Sequence, residues 1–141
     1  MAPTKTHRNT GLGYLDGWTM LATGIDLIEV KRIEESIAQY GERFLTRIFT
    51  AHELAYCKNQ PHQLAARFAA KEAVSKALGV GIQHADGVAW REIEIVSGER
   101  GKPSLKLSGR AAQRASEIGI KKFEISLSHT REHAIAMVIA E

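Results

Sequence analysis

The chain has 141 residues, 44% of them hydrophobic and 25% charged, with a net charge of +3 and a single cysteine, Cys57. That length supports one soluble globular domain with a full core; one cysteine excludes an internal disulfide framework, and no apolar run approaches the ~20 residues of a membrane-spanning helix. The mild basicity suits an acidic partner of several kinds, but dispersed Lys and Arg and 6% aromatics give nucleic acid no support. Cys57 reads as a small hydrophobe, and a cytoplasmic location is expected.

In chain order, residues 1 to 19 show no clear period and are expected to form a poorly ordered extension, with Met20 as an alternative start; the domain proper is taken as 20 to 141. LATGID predicts a short buried strand ending at Asp26, followed by a helix over about 29 to 40 that closes at Gly41. TAHE at 50 to 53 is a capping box, opening a short helix that ends before Pro61. A long helix is expected from near His62 to Gly79. WREIEIV and SLKLS predict strands around the turn SGERGKP, and Ser108 should cap a helix stopped by Gly119. Two further strands, KKFEISLSHT and HAIAMVIAE, meet at a tight turn near Arg131 and Glu132. The second is almost wholly apolar and belongs at the centre of a sheet. Helices in the first half and strands in the second predict an α+β fold.

The long helix is unusual. Apolar residues reach most of the way round it, which predicts burial, yet Glu72 and Lys76 share one edge while Arg67, Lys71 and Ser75 gather on another. Buried charges need partners or a task. Glu72 and Lys76 also have the spacing of an ordinary i,i+4 pair. Asp26, at a strand end, has the spacing to cap the next helix with Glu29, or it offers a second carboxylate beside Glu72. Magnesium is typically held by one or two carboxylates plus waters and substrate phosphates. Arg67, Lys71 and Lys76 would then meet those phosphates, an inventory suited to phosphoryl transfer. His129, in SLSHT, is open to two readings, a structural strand-end histidine or a phosphate or proton-transfer group. No zinc spacing and no phosphate-loop fingerprint is present.

The ordered motifs GIDLIEVKRIE, RFLTRIFTAHEL, AARFAAKEAVSKALGVGI, IEI with GKP, and SLSHT closely resemble holo-[acyl-carrier-protein] synthase, the short single-domain class of 4'-phosphopantetheinyl transferases. The resemblance spans about residues 20 to 141. It implies a curved antiparallel sheet packed on the long helix. It also implies Mg2+-dependent transfer of the phosphopantetheine arm of coenzyme A to a serine of apo acyl carrier protein, releasing adenosine 3',5'-bisphosphate. By motif, Asp26 and Glu72 look like the magnesium ligands, and Lys76 like the lysine on the pyrophosphate. Arg67, His129 and Thr130 fall near the nucleotide phosphates; Gly79 and Gly81, with Lys102 and Pro103, would border the adenosine. Arg32, Arg43 and Arg47 lie in the region that docks the acidic carrier protein. The resemblance further implies a homotrimer with active sites between subunits, and no nucleic-acid or membrane partner. For the base, Glu72, Asp26 and a metal-bound water stay open, with Glu72 or a water beside it preferred.

Two other readings compete. A noncatalytic basic module binding nucleic acid or an acidic protein would not need the carboxylate of Glu72, and a metal-dependent phosphohydrolase would use the Asp26/Glu72 pair without a protein acceptor.

Overall fold

The computed structural model describes residues 21 to 141. The N-terminal extension and Met20 therefore lie outside the described residues. Strand β1 (Ala22–Glu29) leads directly into helix α1 (Val30–Tyr40), followed by α2 (Glu42–Ile48), α3 (Ala51–Cys57) and the long α4 (Pro61–Leu78). A single 3-10 turn, Trp90–Glu92, precedes β2 (Ile93–Ser97) and β3 (Pro103–Leu107); α5 (Gly109–Glu117), β4 (Phe123–His129) and β5 (His133–Ala140) complete the order. The α+β class holds. The antiparallel strands form two hydrogen-bonded sets, a three-stranded sheet in the order β1-β5-β4 and a β2-β3 pair.

The apolar strand β5 is central, as its composition requires, and among the described residues β1 is an edge rather than a buried strand. It also runs on past Asp26 to Glu29, so Asp26 is not a helix cap; Glu29 occupies that position and makes no side-chain capping bond. Helix α2 goes beyond the sequence reading, in which Gly41 is a stop; the glycine, at φ 55°, ends α1 and lets the chain re-enter helix at once.

Helix α4 forms from strong helix formers between Pro61 at its first position and Gly79 at its end. Gly79, at φ 69°, takes the left-handed conformation; its N–H donates to Lys76 O, and that of Val80 to Ser75 O. The guanidinium of Arg114 donates to Leu78 O at 2.9 Å, satisfying another terminal carbonyl. The alanines allow close approach to the sheet. A Cβ at Gly24 of β1 would lie only 1.8 Å from Ala73 O, so glycine is required there. The core lies between α4 and the inner face of the three-stranded sheet, where Ala134, Ala136 and Val138 are fully buried.

The capping box of α3 is present: Thr50 Oγ1 accepts the N–H of Glu53, and Glu53 Oε1 accepts that of Thr50. Ser108 occupies the cap position of α5 but makes no capping bond, because the carboxylate of Glu92 takes the N–H of Arg110 instead. The expected strand WREIEIV begins only at Ile93, since Trp90 to Glu92 turn in a 3-10 loop.

Candidate active site

Strand β1 and helix α4 together build the site. Alternation along β1 turns Ala22, Gly24, Asp26 and Ile28 toward the helix, so Asp26 follows directly on the position of closest approach. On α4, Glu72 and Lys76 are one helical turn apart on the same edge. The ammonium of Lys76 reaches across to β1, donating to Ile25 O at 2.8 Å and to Asp26 Oδ1 at 3.2 Å. The expected local pair is thus replaced by a contact between elements 50 residues apart in sequence. Burial, and next the negative charge of Asp26, push the Glu72 carboxyl above its ordinary value, while Lys76 pulls it down. Two carboxylates therefore sit within electrostatic reach of one another with one half-exposed lysine to balance them.

That imbalance fits a divalent cation. A Mg2+ between Asp26 and Glu72 would add the missing positive charge, and its remaining coordination positions suit water and phosphate oxygens. Among the described residues no cluster of three His, Cys, Asp or Glu is arranged for a metal, so any cation here relies on two carboxylates.

Lys71 does not join this site. It points to the opposite edge of α4, fully buried, and donates to Glu53 Oε1 at 2.8 Å, Ile93 O at 2.6 Å and Trp90 O at 3.1 Å. Burial lowers its pKa, and the negative charge of Glu53 opposes that shift. Its expected role toward phosphate is therefore corrected: the same geometry that makes the helix edge interior gives Lys71 an internal partner.

Arg67 lies five residues before Glu72, about 7.5 Å along the helix axis and ~140° around it. It is almost fully buried, donates to Gln63 Oε1 and to Ser97 Oγ at 2.9 Å, and stacks 4.8 Å from the centre of the Tyr56 ring. Ser97 pairs with Pro103 across the β2-β3 ladder, so Arg67 adjoins the hairpin that carries Lys102 and Pro103. Tyr56, Gln63 and Ser97 were not singled out from the sequence, which holds no periodic signal linking them to Arg67.

His129 ends β4, and its ring packs on that of His62 with centroids 4.6 Å apart; Thr130 follows and opens the turn. Gly79 and Gly81 border a cleft with His84 and Asp86 in the loop after α4. Arg43 and Arg47 flank a groove of about 450 Å³ floored by Tyr40, Phe44, Ile48 and Trp90. Arg47 also donates to Gln83 Oε1 at 2.7 Å, and Arg32 stands exposed on α1. One chain thus brings Asp26, Glu72 and Lys76 together, and sets Arg67 and His129 in separate neighbourhoods.

The family model described as the 4'-phosphopantetheinyl transferase superfamily matches residues 22–138. The chain is 49% identical to a holo-[acyl-carrier-protein] synthase of Herpetosiphon aurantiacus over 124 residues, covering 85% of this chain and 98% of that protein. It is 50% identical to one of Dehalococcoides mccartyi over 122 residues, covering 86% and 99%. Among solved structures, the Helicobacter pylori holo-[acyl-carrier-protein] synthase in complex with coenzyme A superposes with a TM-score of 0.76 at 32% identity, covering 84% of this chain and 99% of that one.

Proposed function

The chain belongs to the 4'-phosphopantetheinyl transferase superfamily, and from that membership we propose how its own residues carry the reaction. Like the holo-[acyl-carrier-protein] synthases to which it is identical at about half of the aligned positions, it transfers the phosphopantetheine arm of coenzyme A to apo acyl carrier protein. The observation that carries the assignment of the site is the meeting of Asp26, Glu72 and Lys76 across the β1–α4 contact.

Asp26 and Glu72 would hold Mg2+, which when bound neutralises charge on the pyrophosphate of coenzyme A. Lys76 is half exposed and already directed at this point, so it can donate to a phosphate oxygen as the adenosine 3',5'-bisphosphate leaves. The serine hydroxyl must lose its proton as it attacks phosphorus. We assign that proton to Glu72 or a water beside it, with Asp26 and a metal-bound water as the alternatives. Arg67, Lys102, Pro103, His129, Thr130, Gly79 and Gly81 are assigned to the nucleotide, and Arg32, Arg43 and Arg47 to the acidic face of the carrier protein.

We further assign a homotrimer with the site shared between subunits. Ile25, Leu27, Met137 and Ile139 on the outer sheet face are 40% to 61% exposed, and among the described residues β1 is the sheet edge beside them. An apolar patch of this kind marks an interaction surface. His129, assigned to the nucleotide, packs on His62, which lies ten residues before Glu72 on α4, about 15 Å along its axis. Drawing the nucleotide groups from a neighbouring subunit removes the need to span that distance within one chain. Burial pushes the Cys57 thiol up to about 11, which leaves it unreactive, and we place the enzyme in the cytoplasm.

Intact-mass spectrometry of apo acyl carrier protein after incubation with this enzyme, coenzyme A and Mg2+ tests the whole reading. A phosphopantetheine mass gain abolished by chelator and by Glu72→Gln is expected. A gain that survives Glu72→Gln would remove Glu72 from the site, and one that survives chelation would remove the metal.

A further inference from the structure

We propose that His62 is a second imidazole donor to the phosphomonoester on the nucleotide half of coenzyme A, acting beside His129. The inference rests on the assignment of His129 and Thr130 to the nucleotide phosphates and adds a specificity-determining residue to it.

His62 starts α4 and His129 ends β4, yet their rings pack at 4.6 Å with planes inclined by 36°. Both line one open cleft with Thr130 and Arg131, and Glu34 of α1 is its carboxylate. Thr130 Oγ1 accepts the N–H groups of Glu132 and His133, which leaves its hydroxyl hydrogen to donate outward. Pro61 stands at the first position of α4, so the next N–H groups, those of His62 and Gln63, fall among the donors that a helix start leaves without intrahelical partners. The positive end of an 18-residue helix adds to the field at the same place. Two imidazoles, a guanidinium, a hydroxyl and a helix start converge against one carboxylate. That is the chemistry of a phosphate dianion.

The contact between the two rings keeps both imidazoles on the same cleft. A phenyl ring at position 62 would keep an aromatic contact with His129 and lose the donor.

The test compares kcat/KM for coenzyme A with that for 3'-dephospho-coenzyme A on the same preparation, so that any loss of folded protein leaves the ratio unmoved. The wild-type enzyme should prefer coenzyme A. In His62→Phe that preference should fall about tenfold, the size expected for one charge-assisted hydrogen bond, and His62→Gln, which keeps a donor, should retain most of it. An unchanged ratio in His62→Phe overturns the proposal. If His129→Phe lowers the ratio while His62→Phe does not, the phosphate assignment stands and only the role of His62 fails. If neither variant lowers it, the phosphate assignment itself fails.

Discussion

Lys71 and Glu53 form an ion pair at 2.8 Å with both side chains completely removed from solvent. Glu53 Oε1 also closes the capping box of α3, and Oε2 accepts the N–H of Ile95 in β2 at 2.9 Å. One carboxylate thereby fastens α3, α4 and β2 to each other, immediately behind the helix edge that presents Glu72. Removing one partner of such a pair strands a buried charge, at a cost of about 3–5 kcal/mol. Glu53→Gln should lose stability on that scale in urea denaturation, whereas Glu53→Leu combined with Lys71→Met should recover much of the loss. A small effect of Glu53→Gln alone would show that the pair does not hold these elements.

Glu72 has the opposite balance. Its carboxyl is raised, so the folded protein binds that proton more tightly than the unfolded chain does. Its stabilising contribution is complete below the ordinary value of 4.5 and is lost as pH rises through the higher folded value. Above that folded value the ionised carboxylate therefore costs stability, and there Glu72→Gln should melt no lower than wild type while losing transferase activity. As pH falls, the difference in melting temperature should move in favour of wild type. A pH-independent difference would contradict the raised carboxyl.

The outer sheet face gives a direct test of assembly. Ile25 and Met137 are register partners on β1 and β5, both exposed. Placing a charge there leaves the inner face and its packing untouched. On the proposed homotrimer, Met137→Glu should lower the assembly state to monomer in light scattering and reduce transfer to apo acyl carrier protein, while circular dichroism stays that of the folded chain. A variant that remains trimeric would exclude this face as the interface.

Arg32, Arg43 and Arg47 should act mainly on encounter with the carrier protein. Exposed charges of this kind steer association and are screened by salt. Arg32→Glu should raise KM for apo acyl carrier protein about fivefold or more at low ionic strength, with KM for coenzyme A unchanged and the difference shrinking as salt is added. An effect insensitive to salt would point to packing rather than steering.

Local patterns in the chain were enough to determine much of this protein. The capping box at Thr50, the limits of α4 at Pro61 and Gly79, and the central position of β5 depend on residues near one another in sequence, or on composition alone. The motifs around Asp26 and Glu72 likewise carried the family, and with it the reaction. Only the tertiary structure decided which charges of α4 belong together. Lys71 and Lys76 are one short step apart in sequence, yet one is sealed against Glu53 and the other reaches Asp26, because α3 and β2 cover the first edge and β1 borders the second. The contact of His62 with His129 is equally absent from any local pattern. Such contacts join residues tens of positions apart, and their existence depends on how whole elements pack, which no local period or spacing encodes.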